Sequence, residues 1–511
     1  MKWVVYNLLF AAIYPFLLPG FLLRMLRRGG YAARMGDRFA LYPQWLLQNR
    51  PLYQSHKTNN QQLTTNDYVW IHAVSVGEVQ VAAQLMREWR KVEPGVKFCF
   101  STTSSTGWRI AEKELASLQP STSNLQPSTS DILIYNPLDF PNFVKSALKR
   151  IRPRAIVLTE SEIWPNFILR AKKMGIPLFL INARVSDRSA PRYKLARFFF
   201  KDVFGAFTKI FAQSDLDAAR IRAAMRAEDA AKVVVTGSFK FDVARRNETK
   251  ERELRAWIEG GKEEIRDKRL EIRCGGESEE GRVMSEELRR KILLGGSTWP
   301  GEDKVLLDIY KAILQSSTSN LQPSTFNLQP LLVIAPRHFE KADEVEANIK
   351  AAGFSCRRRS RELGSDSVGL GSDRVEALKD VNQTLKDAKV PAVYLCDTTG
   401  EMMGLFGICD VAFVGKSLCA HGSQNMIEPC LCGKPTFVGP YTENFRPVMS
   451  DLLAADAIIQ VKNAAELKAK IVAMFAEGAS EELGARAKAA VENRRGVVAK
   501  CVNDIRAALN A

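Results

Sequence analysis

The sequence has few features of a disulfide-bonded or metal-binding protein. Its nine cysteines are an odd number scattered through the chain, unlike the paired framework of a small secreted protein. The densest group of cysteines has a spacing that matches no standard set of zinc ligands: Cys409, Cys419, Cys430 and Cys432, with His421 nearby. We therefore expect these cysteines to be small buried hydrophobic residues and predict no metal site.

Acidic residues are also scarce relative to basic ones. The chain has 57 Asp and Glu against 73 Lys and Arg, a net charge of +16, which indicates an anionic partner such as nucleic acid or an anionic membrane surface. Basic clusters interleaved with aromatic residues are absent, so we predict no nucleic-acid partner. With 511 residues, 46% of them hydrophobic, the chain is long enough for two substantial domains.

Residues 1–34 contain the one long apolar stretch, from Trp3 to Met25. A helix of that length would cross a hydrocarbon core of about 30 Å. The basic residues follow the apolar stretch, unlike those of a signal peptide, and predict that the rest of the chain is cytoplasmic. Pro15 and Pro19 interrupt the stretch, so a helix lying in the inner leaflet of the membrane is an alternative to a span.

Polar segments divide the remainder. Residues 118–130 and 316–330 share one Ser/Thr/Asn/Gln/Pro repeat and are predicted to be disordered surface inserts. Residues 245–291 are dense in Glu, Lys and Arg and predict exposed helices near a linker, and residues 357–389 are similarly polar. We place an N-terminal domain at 35–240, a charged linker at 241–290 and a C-terminal domain at 291–511.

Short apolar runs alternate with helical stretches in both halves. This alternation of strands and helices predicts an α/β fold with parallel, doubly wound sheets. We expect two Rossmann-like domains facing a central cleft. The runs in the first half are 68–76, 97–101, 132–135, 155–158, 178–181 and 209–212. Those in the second half are 291–294, 331–334, 392–395, 411–414 and 435–438.

Glu78 follows the first of these runs, at the opening of a helix-like stretch from Val79 to Trp89. Gly77 is expected to let the backbone turn sharply between strand and helix. A carboxylate at such a turn lies where ligands bind to an α/β sheet, and it can act as a general base. The alternative is that Glu78 only stabilises the first turn of the helix.

Other polar motifs follow later runs of the first half. The hydroxyl-rich segment 101–107 suits an anion or a sugar, or is a helix cap. Glu160 and Glu162 follow one strand, where acidic pairs bind hydroxyls or cations, with a solvated loop as the alternative. Asn182, Arg184 and Arg188 follow the next strand and suit phosphate or carboxylate groups. Lys240 lies where the first half ends.

The second half has motifs suited to a nucleotide. Residues 295–299 (GGSTW) and 335–338 (APRH) each follow a strand and offer backbone amides and Arg337 to a phosphate. Residues 399–401 (TGE) and 421–429 (HGSQNMIEP) are typical of the nucleotide end of a sugar-nucleotide site, where a glutamate can hold ribose hydroxyls. His338 alone is more typical of a structural histidine.

These motifs together resemble one family. In chain order they read SVGEV, TESEIWPN, INARVSDRS, AQSD, VTGSFKFD, GSTWPGE, APRH, GEMMGLFGICDVAFVGKS and NMIEP, behind an apolar N-terminus. This set is similar to the 3-deoxy-D-manno-octulosonic acid (Kdo) transferases of lipopolysaccharide synthesis and covers nearly the whole chain apart from the inserts.

The resemblance implies a GT-B glycosyltransferase of the inner membrane, with its catalytic domains on the cytoplasmic side. It would move Kdo from CMP-Kdo to a hydroxyl of the lipid A precursor (lipid IVA) with inversion, without a metal or cofactor. Glu78 would be the proton acceptor, and Glu162 and Lys240 would stabilise the transition state. The residues implied to bind CMP are Pro336, Arg337, Thr399, Gly400, Glu401, Asn425, Met426, Ile427 and Glu428.

The sequence departs from the family pattern near the nucleotide motifs. Lys416 and Ser423 each replace a glycine, and Gln424 replaces a histidine. We expect altered donor affinity rather than lost activity. Two other functions remain as alternatives: another nucleotide-sugar enzyme of this architecture, such as a UDP-sugar transferase or epimerase, and a non-enzymatic basic protein that binds the membrane surface.

Overall fold

Two parallel sheets of seven strands each organise the chain. The structure is a computed structural model, and it describes residues 2–28, 32–42, 68–118, 131–259, 290–319, 329–366, 392–477 and 481–510. Contacts divide the chain into one unit of Met1–Val243 with Arg495–Ala511 and a second of Ala244–Arg494. The prediction of parallel, doubly wound α/β sheets is confirmed.

The first unit has the strand order β3-β2-β1-β4-β5-β6-β7. Its strands are β1 (Tyr68–His72), β2 (Lys97–Thr102), β3 (Ile132–Tyr135), β4 (Ala155–Thr159), β5 (Leu178–Ala183), β6 (Lys209–Ala212) and β7 (Val233–Val235). All residues of β4 and β5 are buried, because helices cover both faces of a parallel sheet and make its strands nearly continuous apolar runs.

The helices of the first unit follow its strands. They are α1 (Lys2–Arg28), α2 (Val76–Val92), α3 (Ser105–Ser117), α4 (Pro141–Ile151), α5 (Pro165–Lys173), α6 (Ala190–Leu195), α7 (Arg197–Gly205), α8 (Asp215–Ala223) and α9 (Lys240–Val243). Short 3-10 helices lie at Ala32–Phe39 and Ala227–Lys232.

The second unit has the strand order β10-β11-β9-β8-β12-β13-β14. Its strands are β8 (Ile292–Thr298), β9 (Leu331–Pro336), β10 (Ser355–Arg358), β11 (Ala392–Leu395), β12 (Val411–Val414), β13 (Thr436–Val438) and β14 (Ile459–Gln460). Its helices are α10 (Glu248–Glu259), α11 (Glu302–Ser319), α12 (Ala342–Ala351), α13 (Arg359–Asp366), α14 (Met402–Ile408), α15 (Ile427–Leu431), α16 (Arg446–Ala454), α17 (Ala464–Glu477) and α18 (Glu481–Glu492). Short 3-10 helices lie at Phe339–Lys341 and Glu443–Phe445.

A last helix, α19 (Val497–Asn510), returns to the first unit. Val498, Cys501 and Ile505 are buried in the apolar cluster beneath β1 and β2. Asp242 accepts the backbone N–H groups of Gly496 and Val498 at 2.6 and 2.8 Å, so it satisfies donors at the start of α19. The sequence division placed this helix in the second half, whereas its packing places it in the first unit.

The polar segments differ in part from their prediction. Residues 316–319, assigned to a disordered insert, are the last turn of α11, while residues 119–130 and 320–328 lie outside the described residues. Within the charged segment, α10 is a helix but is not fully exposed, because Leu254, Trp257 and Ile258 pack into the second unit. Residues 260–289 and 367–391 lie outside the described residues.

The apolar N-terminal segment forms α1, with one face on the first unit. Trp3 and Tyr6 pack against Phe199, and Phe10 and Tyr14 pack against Phe140. For this segment the sequence offered a span or a helix lying in the leaflet. Among the helices of the described ranges, none is both long enough and apolar enough to cross a membrane.

Candidate functional site

Glu78 lies at the carboxyl edge of the first sheet, where the strand order reverses between β1 and β4. Ser75 is the N-cap of α2, and its Oγ accepts the Glu78 N–H at 3.3 Å. The Glu78 carboxylate accepts hydrogen bonds from the Val74 N–H at 3.0 Å, Ser75 Oγ at 2.8 Å and Thr159 Oγ1 at 3.1 Å. The carboxylate therefore caps its own helix and also lies at the point where open α/β sheets bind ligands.

Gly77 does not make the predicted turn. It lies in the first turn of α2 with an ordinary negative φ, and an added Cβ would meet no atom within 4 Å. The chain turns through residues 73–75 instead, where Ser75 is extended with φ −87° and ψ 163°. The prediction that glycine provides the turn is wrong, because an extended serine N-cap turns the backbone into the helix.

Glu160 and Glu162 follow β4 and lie beside Glu78. Glu160 has a φ of 50°, and its Oε1 accepts a hydrogen bond from Asn182 Nδ2 at 3.2 Å. Oε2 of Glu162 accepts the indole N–H of Trp164 at 2.9 Å. Burial, with the negative charges of Glu78 and Glu160, raises the pKa of Glu162 to about 7, although the Trp164 hydrogen bond opposes the shift. This is a site in which one carboxyl group near Glu78 retains its proton close to neutral pH.

Lys240 joins this group from the start of α9. Burial lowers its pKa, while the charge of Glu160 opposes the shift and that of Arg184 adds to it. Burial also raises the pKa of Glu160, and Lys240 opposes that shift. Asn182 holds the two segments together, because it donates to Glu160 and accepts the Phe239 N–H at 3.0 Å. The first unit thus brings the three predicted catalytic residues, Glu78, Glu162 and Lys240, into one electrostatic cluster.

Two other predictions for this unit have simple structural outcomes. In the hydroxyl-rich segment, Ser104 is the N-cap of α3, accepts the Gly107 N–H and donates to the Val74 carbonyl, both at 3.0 Å. The helix-cap alternative therefore describes Ser104. Of the two arginines after β5, Arg184 is half-buried beside the cluster and Arg188 is exposed.

In the second unit, Glu302 joins two loops where the strand order reverses between β8 and β12. Its buried carboxylate accepts the backbone N–H groups of Trp299 at 2.7 Å, Lys416 at 2.9 Å, Ser417 at 3.2 Å and Leu418 at 3.1 Å. The sequence analysis missed this role. Its only signal was a glutamate after Pro-Gly at a helix start, since three of the four amide donors lie more than 110 residues further on.

The GGSTW motif is not the amide-rich loop that was predicted. Strand β8 continues through Thr298, so Gly295 and Gly296 lie in the sheet, paired with Phe413 and Val414 of β12. A Cβ at Gly295 would lie 2.3 Å from Leu306 Cδ1, so close packing explains this glycine.

Trp299 and Pro336 line a small pocket at this edge of the second sheet. His338 also lines it, and its ring lies edge-on to Trp299 with centroids 4.7 Å apart. Lys416 Nζ lies 5.0 Å from the Trp299 ring centroid, and Arg337 is exposed next to Pro336. Lys416 and Arg337 are therefore cations beside the aromatic surface of Trp299, while the pocket lining itself combines Lys341 with the carboxylates of Asp303 and Glu344.

Glu401, which was predicted to bind the nucleotide, is bonded to side chains of its own unit. Its buried carboxylate contacts Thr398 Oγ1, Cys396 Sγ at 3.1 Å and Arg359 Nη2 at 3.2 Å, with Lys250 Nζ at 3.8 Å. Burial acts to raise the pKa of Glu401, but these hydrogen bonds outweigh it and the pKa is lowered.

Thr399 and Gly400 form the turn before Glu401. Gly400 has a φ of 84°, a conformation that favours glycine. Because the Glu401 carboxylate is engaged within its own unit, the backbone of this turn and the exposed Thr399 side chain are left to contact a ligand.

Residues 425–428 lie at the start of α15. Asn425 Nδ2 donates to Glu428 Oε1 at 3.0 Å, and Asn425 Oδ1 accepts the Ile427 N–H at 3.1 Å. Met426 and Ile427 are fully buried. Burial raises the pKa of Glu428, and the Asn425 hydrogen bond lowers it. The side chains that could reach a ligand here are therefore Asn425 and Glu428.

Two of the residues that depart from the family pattern, Lys416 and Ser423, lie in strained backbone shortly before residues 425–428. Lys416 and Ser423 have φ values of 57° and 58°, in the left-handed region that glycine occupies at low cost. The Ser423 N–H donates to the Lys416 carbonyl at 2.8 Å, and the Gln424 N–H donates to the Gly415 carbonyl at 3.1 Å. These hydrogen bonds hold two non-glycine residues in a conformation that suits glycine.

The cysteine prediction holds for three of its four residues. Cys409, Cys430 and Cys432 are buried, whereas Cys419 is exposed. His421 Nδ1 lies 2.8 Å from Glu443 Oε1. No group of three or more potential metal ligands occurs in the part of the chain that the structure describes.

The two parallel sheets of seven strands define the fold class of this protein as GT-B-like. The UDP-GlcNAc 2-epimerase of Neisseria meningitidis bound to UDP-GlcNAc matches with a TM-score of 0.50 at 13% identity, over 86% of this chain and 99% of that structure. At that identity the match shows the fold alone.

Sequence relatives show the family. The 3-deoxy-D-manno-octulosonic acid transferase of Bordetella pertussis is 30% identical over 78% of this chain and 76% of its own length. The enzyme of the same name from Haemophilus influenzae is 27% identical over 78% of this chain and 76% of its own. Residues 33–243 also match the family model described as 3-deoxy-D-manno-octulosonic-acid transferase. The chain belongs to the Kdo transferase family, and the resemblance found in the sequence is confirmed.

Proposed function

We propose that this chain transfers Kdo from CMP-Kdo to a hydroxyl group of the lipid A precursor, lipid IVA, with inversion. The observation that carries the proposal is the position of the Glu78 carboxylate at the switch point of the first sheet, beside Glu160, Glu162 and Lys240. A carboxylate there can take the proton of an acceptor hydroxyl as the new glycosidic bond forms.

One base is enough for inversion. The anomeric carbon of Kdo bears a carboxylate, and the bond to CMP breaks through a transition state with oxocarbenium character. The acceptor hydroxyl attacks the face opposite to the leaving CMP, and Glu78 accepts its proton. A retaining reaction would need a nucleophile against the anomeric carbon. The hydrogen bonds from Ser75 and Thr159 orient the base.

Lys240 and Glu162 would act on the charges of the donor sugar. The Lys240 ammonium can pair with the Kdo carboxylate, and the carbonyl oxygen of the Glu162 carboxyl group can turn its dipole towards the positive charge that develops at the anomeric carbon. Because Lys240 is buried and its pKa is lowered, its charge depends on the neighbouring Glu160.

The second unit would bind the CMP part of the donor. Lys416 beside the Trp299 ring and the exposed Arg337 next to Pro336 are cations that suit a phosphate with a base attached. Asn425 and Glu428 can hydrogen-bond ribose hydroxyls. Glu401 is expected to order the 399–401 turn rather than touch the nucleotide, because its carboxylate is bonded to Arg359 and Cys396.

We also propose that α1 lies on the cytoplasmic surface of the inner membrane. The face of α1 opposite its packed aromatic residues is exposed and apolar, at Val4, Val5, Leu8, Leu9, Ile13 and Phe16. Leu195 and Phe198 are 87% and 65% exposed, and Lys2 bonds the Phe198 carbonyl at 3.0 Å, so they lie close to α1. An apolar face with the basic side chains of Arg192, Lys194 and Lys201 nearby suits an anionic lipid surface.

The test is the mass of the product formed from CMP-Kdo and a tetraacylated lipid A precursor. The proposal predicts that the acceptor gains Kdo and that CMP, but not UDP, competes with the donor. Competition by UDP with no Kdo product would instead favour a UDP-sugar enzyme, and steeply salt-dependent lipid binding without any transfer would favour a membrane-binding protein.

A further inference from the structure

His72 is a buried histidine at the end of β1 that the proposed mechanism does not use. Its side chain is fully buried, and its Nδ1 lies 3.1 Å from the Ser101 carbonyl oxygen and 2.9 Å from Ser101 Oγ. A carbonyl oxygen only accepts hydrogen bonds, so this contact favours the tautomer with the proton on Nδ1, whereas Ser101 Oγ can accept from this nitrogen or donate to it. In that tautomer the buried Nε2 carries a lone pair rather than a proton.

That lone pair points towards Glu162. His72 Nε2 is buried and has no hydrogen-bond partner among the described residues. The carboxyl oxygen Oε2 of Glu162 lies 3.8 Å from it. Trp164 holds this oxygen with its indole N–H at 2.9 Å, and the His72 and Trp164 rings lie edge to face with centroids 6.3 Å apart. A buried acceptor without a donor is costly, so this geometry calls for a proton between the two atoms.

We propose that His72 is a positioning residue whose Nε2 accepts the proton of Glu162 Oε2, so that Glu162 stays uncharged beside an ionised Glu78. A movement of less than about 1 Å closes the 3.8 Å gap to a hydrogen bond. The Trp164 indole can stay in place during this movement, because a protonated carboxyl oxygen still accepts a hydrogen bond while it donates one.

The charges around Glu162 act in the same direction. Glu78 on α2 and Glu160 in the same loop as Glu162 both disfavour a further negative charge on Glu162. The phenol of Tyr193 on α6 also faces the Glu162 carboxyl group. Burial raises the pKa of Glu162 to about 7 and lowers the pKa of His72 to about 4. Between these values the carboxyl group keeps its proton and the imidazole is neutral.

The consequence rests on the proposed function. The donor sugar carries its own carboxylate, and a site with three ionised glutamates would repel it. Removal of one negative charge by the His72 contact leaves Glu78 as the ionised base and lets the anionic sugar approach Lys240. A site that separates the protonation states of two neighbouring carboxyl groups can use one as base while the other stays neutral.

Two substitutions of His72 test the roles of Nδ1 and Nε2 separately. His72→Asn keeps a donor where Nδ1 lies and removes the Nε2 group, whereas His72→Gln places an amide oxygen where Nε2 lies. The pKa of Glu162 is followed by NMR of the side-chain carboxyl carbons in protein labelled at glutamate, with Glu162→Gln to identify its signal. We expect a fall of about one pH unit in His72→Asn and a value near wild type in His72→Gln. An equal pKa of Glu162 in wild type and His72→Asn would overturn the proposal.

A second measurement needs only the wild-type chain, in case His72→Asn does not fold. The chain has four histidines, so nitrogen NMR of the imidazole rings can resolve each tautomer. The proposal requires a proton on Nδ1 of the buried ring and a bare Nε2 near neutral pH, and the opposite tautomer would refute it. Both measurements are independent of turnover. A chain that gives both expected results but transfers no Kdo would contradict the proposed function and still support the His72 contact.

Discussion

Thr159 Oγ1 lies 3.1 Å from Glu78 Oε2 and 3.0 Å from the His72 carbonyl, so one hydroxyl links the end of β4 to the candidate base and to β1. The base is thereby fixed by a neighbouring strand and not only by its own helix. Since general-base catalysis requires a group held within hydrogen-bond reach of its substrate, this link gives the first prediction.

Glu78→Gln should keep the fold and the binding of CMP-Kdo while lowering transfer by roughly 10²- to 10⁴-fold, because it removes the base and little volume. The amide oxygen can still accept a hydrogen bond near the α2 cap. Single-turnover transfer measures the chemical step, and donor titration measures binding. Glu112→Gln, on the exposed side of α3, is the matched control and should transfer at the wild-type rate. Wild-type transfer in Glu78→Gln would reject the assignment.

Lys416 contributes a cation at the cost of backbone strain. Lys416→Gly should relieve the left-handed conformation and leave the stability of the second unit within about 1 kcal/mol. It should weaken CMP binding by roughly fivefold, because the ammonium beside Trp299 is lost. Calorimetric titration with CMP measures this effect, with Arg337→Ala as a second donor-site variant that should also bind more weakly.

Asp456→Gly is the matched control for Lys416→Gly. Asp456 is another non-glycine residue in the left-handed region, with a φ of 48°, and it is exposed just after the end of α16. Asp456→Gly should change stability in the same way as Lys416→Gly, without changing CMP affinity. Equal CMP affinity in wild type and Lys416→Gly would show that Lys416 does not contact the donor.

The central strands could be predicted from sequence because burial on both faces leaves continuous apolar runs. The runs 132–135, 209–212, 392–395 and 411–414 match β3, β6, β11 and β12 in both bounds. The sequence analysis missed β7, β10 and β14, all near or at sheet edges, where less burial is required. Strand β10 (Ser355–Arg358) was hidden by its polar composition, because its arginines are held by ion pairs such as Arg358 with Asp397 at 2.5 Å.

The candidate site was predictable only where a residue acts close to its own motif. The placement of Glu78 and Glu162 near each other could be predicted from motifs that follow strands, and their catalytic roles stay predictions. The roles of Glu302 and His72 depend on atoms brought from distant segments, such as the Lys416 amide and the Glu162 carboxyl group, and no local pattern indicates them. Glu401 was assigned to the ligand from its motif, although its carboxylate is bonded to Arg359, 42 residues away.

Glu302 should be a main determinant of stability in the second unit. Glu302→Ala would leave buried amides of two loops without an acceptor, and we expect a loss of about 3 kcal/mol. Urea unfolding followed by the fluorescence of tryptophan in the second unit measures it. Glu477→Gln, at an exposed helix end, should change stability by less than about 0.5 kcal/mol. An unchanged unfolding midpoint in Glu302→Ala would contradict the role of the carboxylate.

The exposed apolar residues near α1 should decide membrane attachment. Replacing Leu195 and Phe198 together by Asp should weaken binding to vesicles of anionic phospholipid, since it removes apolar contact and adds negative charge. Co-sedimentation with vesicles measures the bound fraction. Leu453→Asp, an exposed leucine of the second unit, is the control and should bind like wild type. Equal binding of the double variant would argue against this face.

Asp139 should make stability depend on pH. Its buried carboxyl accepts the backbone N–H groups of Asn166 and Phe167 at 3.0 and 2.8 Å, yet burial raises its pKa to about 7. A carboxyl group whose pKa is higher in the folded than in the unfolded chain favours folding at low pH. Its contribution is present below about pH 4 and is lost as pH rises to about 7.

The variant Asp139→Asn isolates this contribution, because an amide cannot ionise but can still accept one of the two backbone hydrogen bonds. Between pH 4 and 7 the unfolding free energy of wild type should fall relative to that of Asp139→Asn by a few kcal/mol. Glu162 has a raised pKa as well, so it adds to the fall in both proteins and cancels in the difference. Parallel curves for the two proteins across this range would show that Asp139 is ionised in the folded chain throughout, with its two backbone donors outweighing burial.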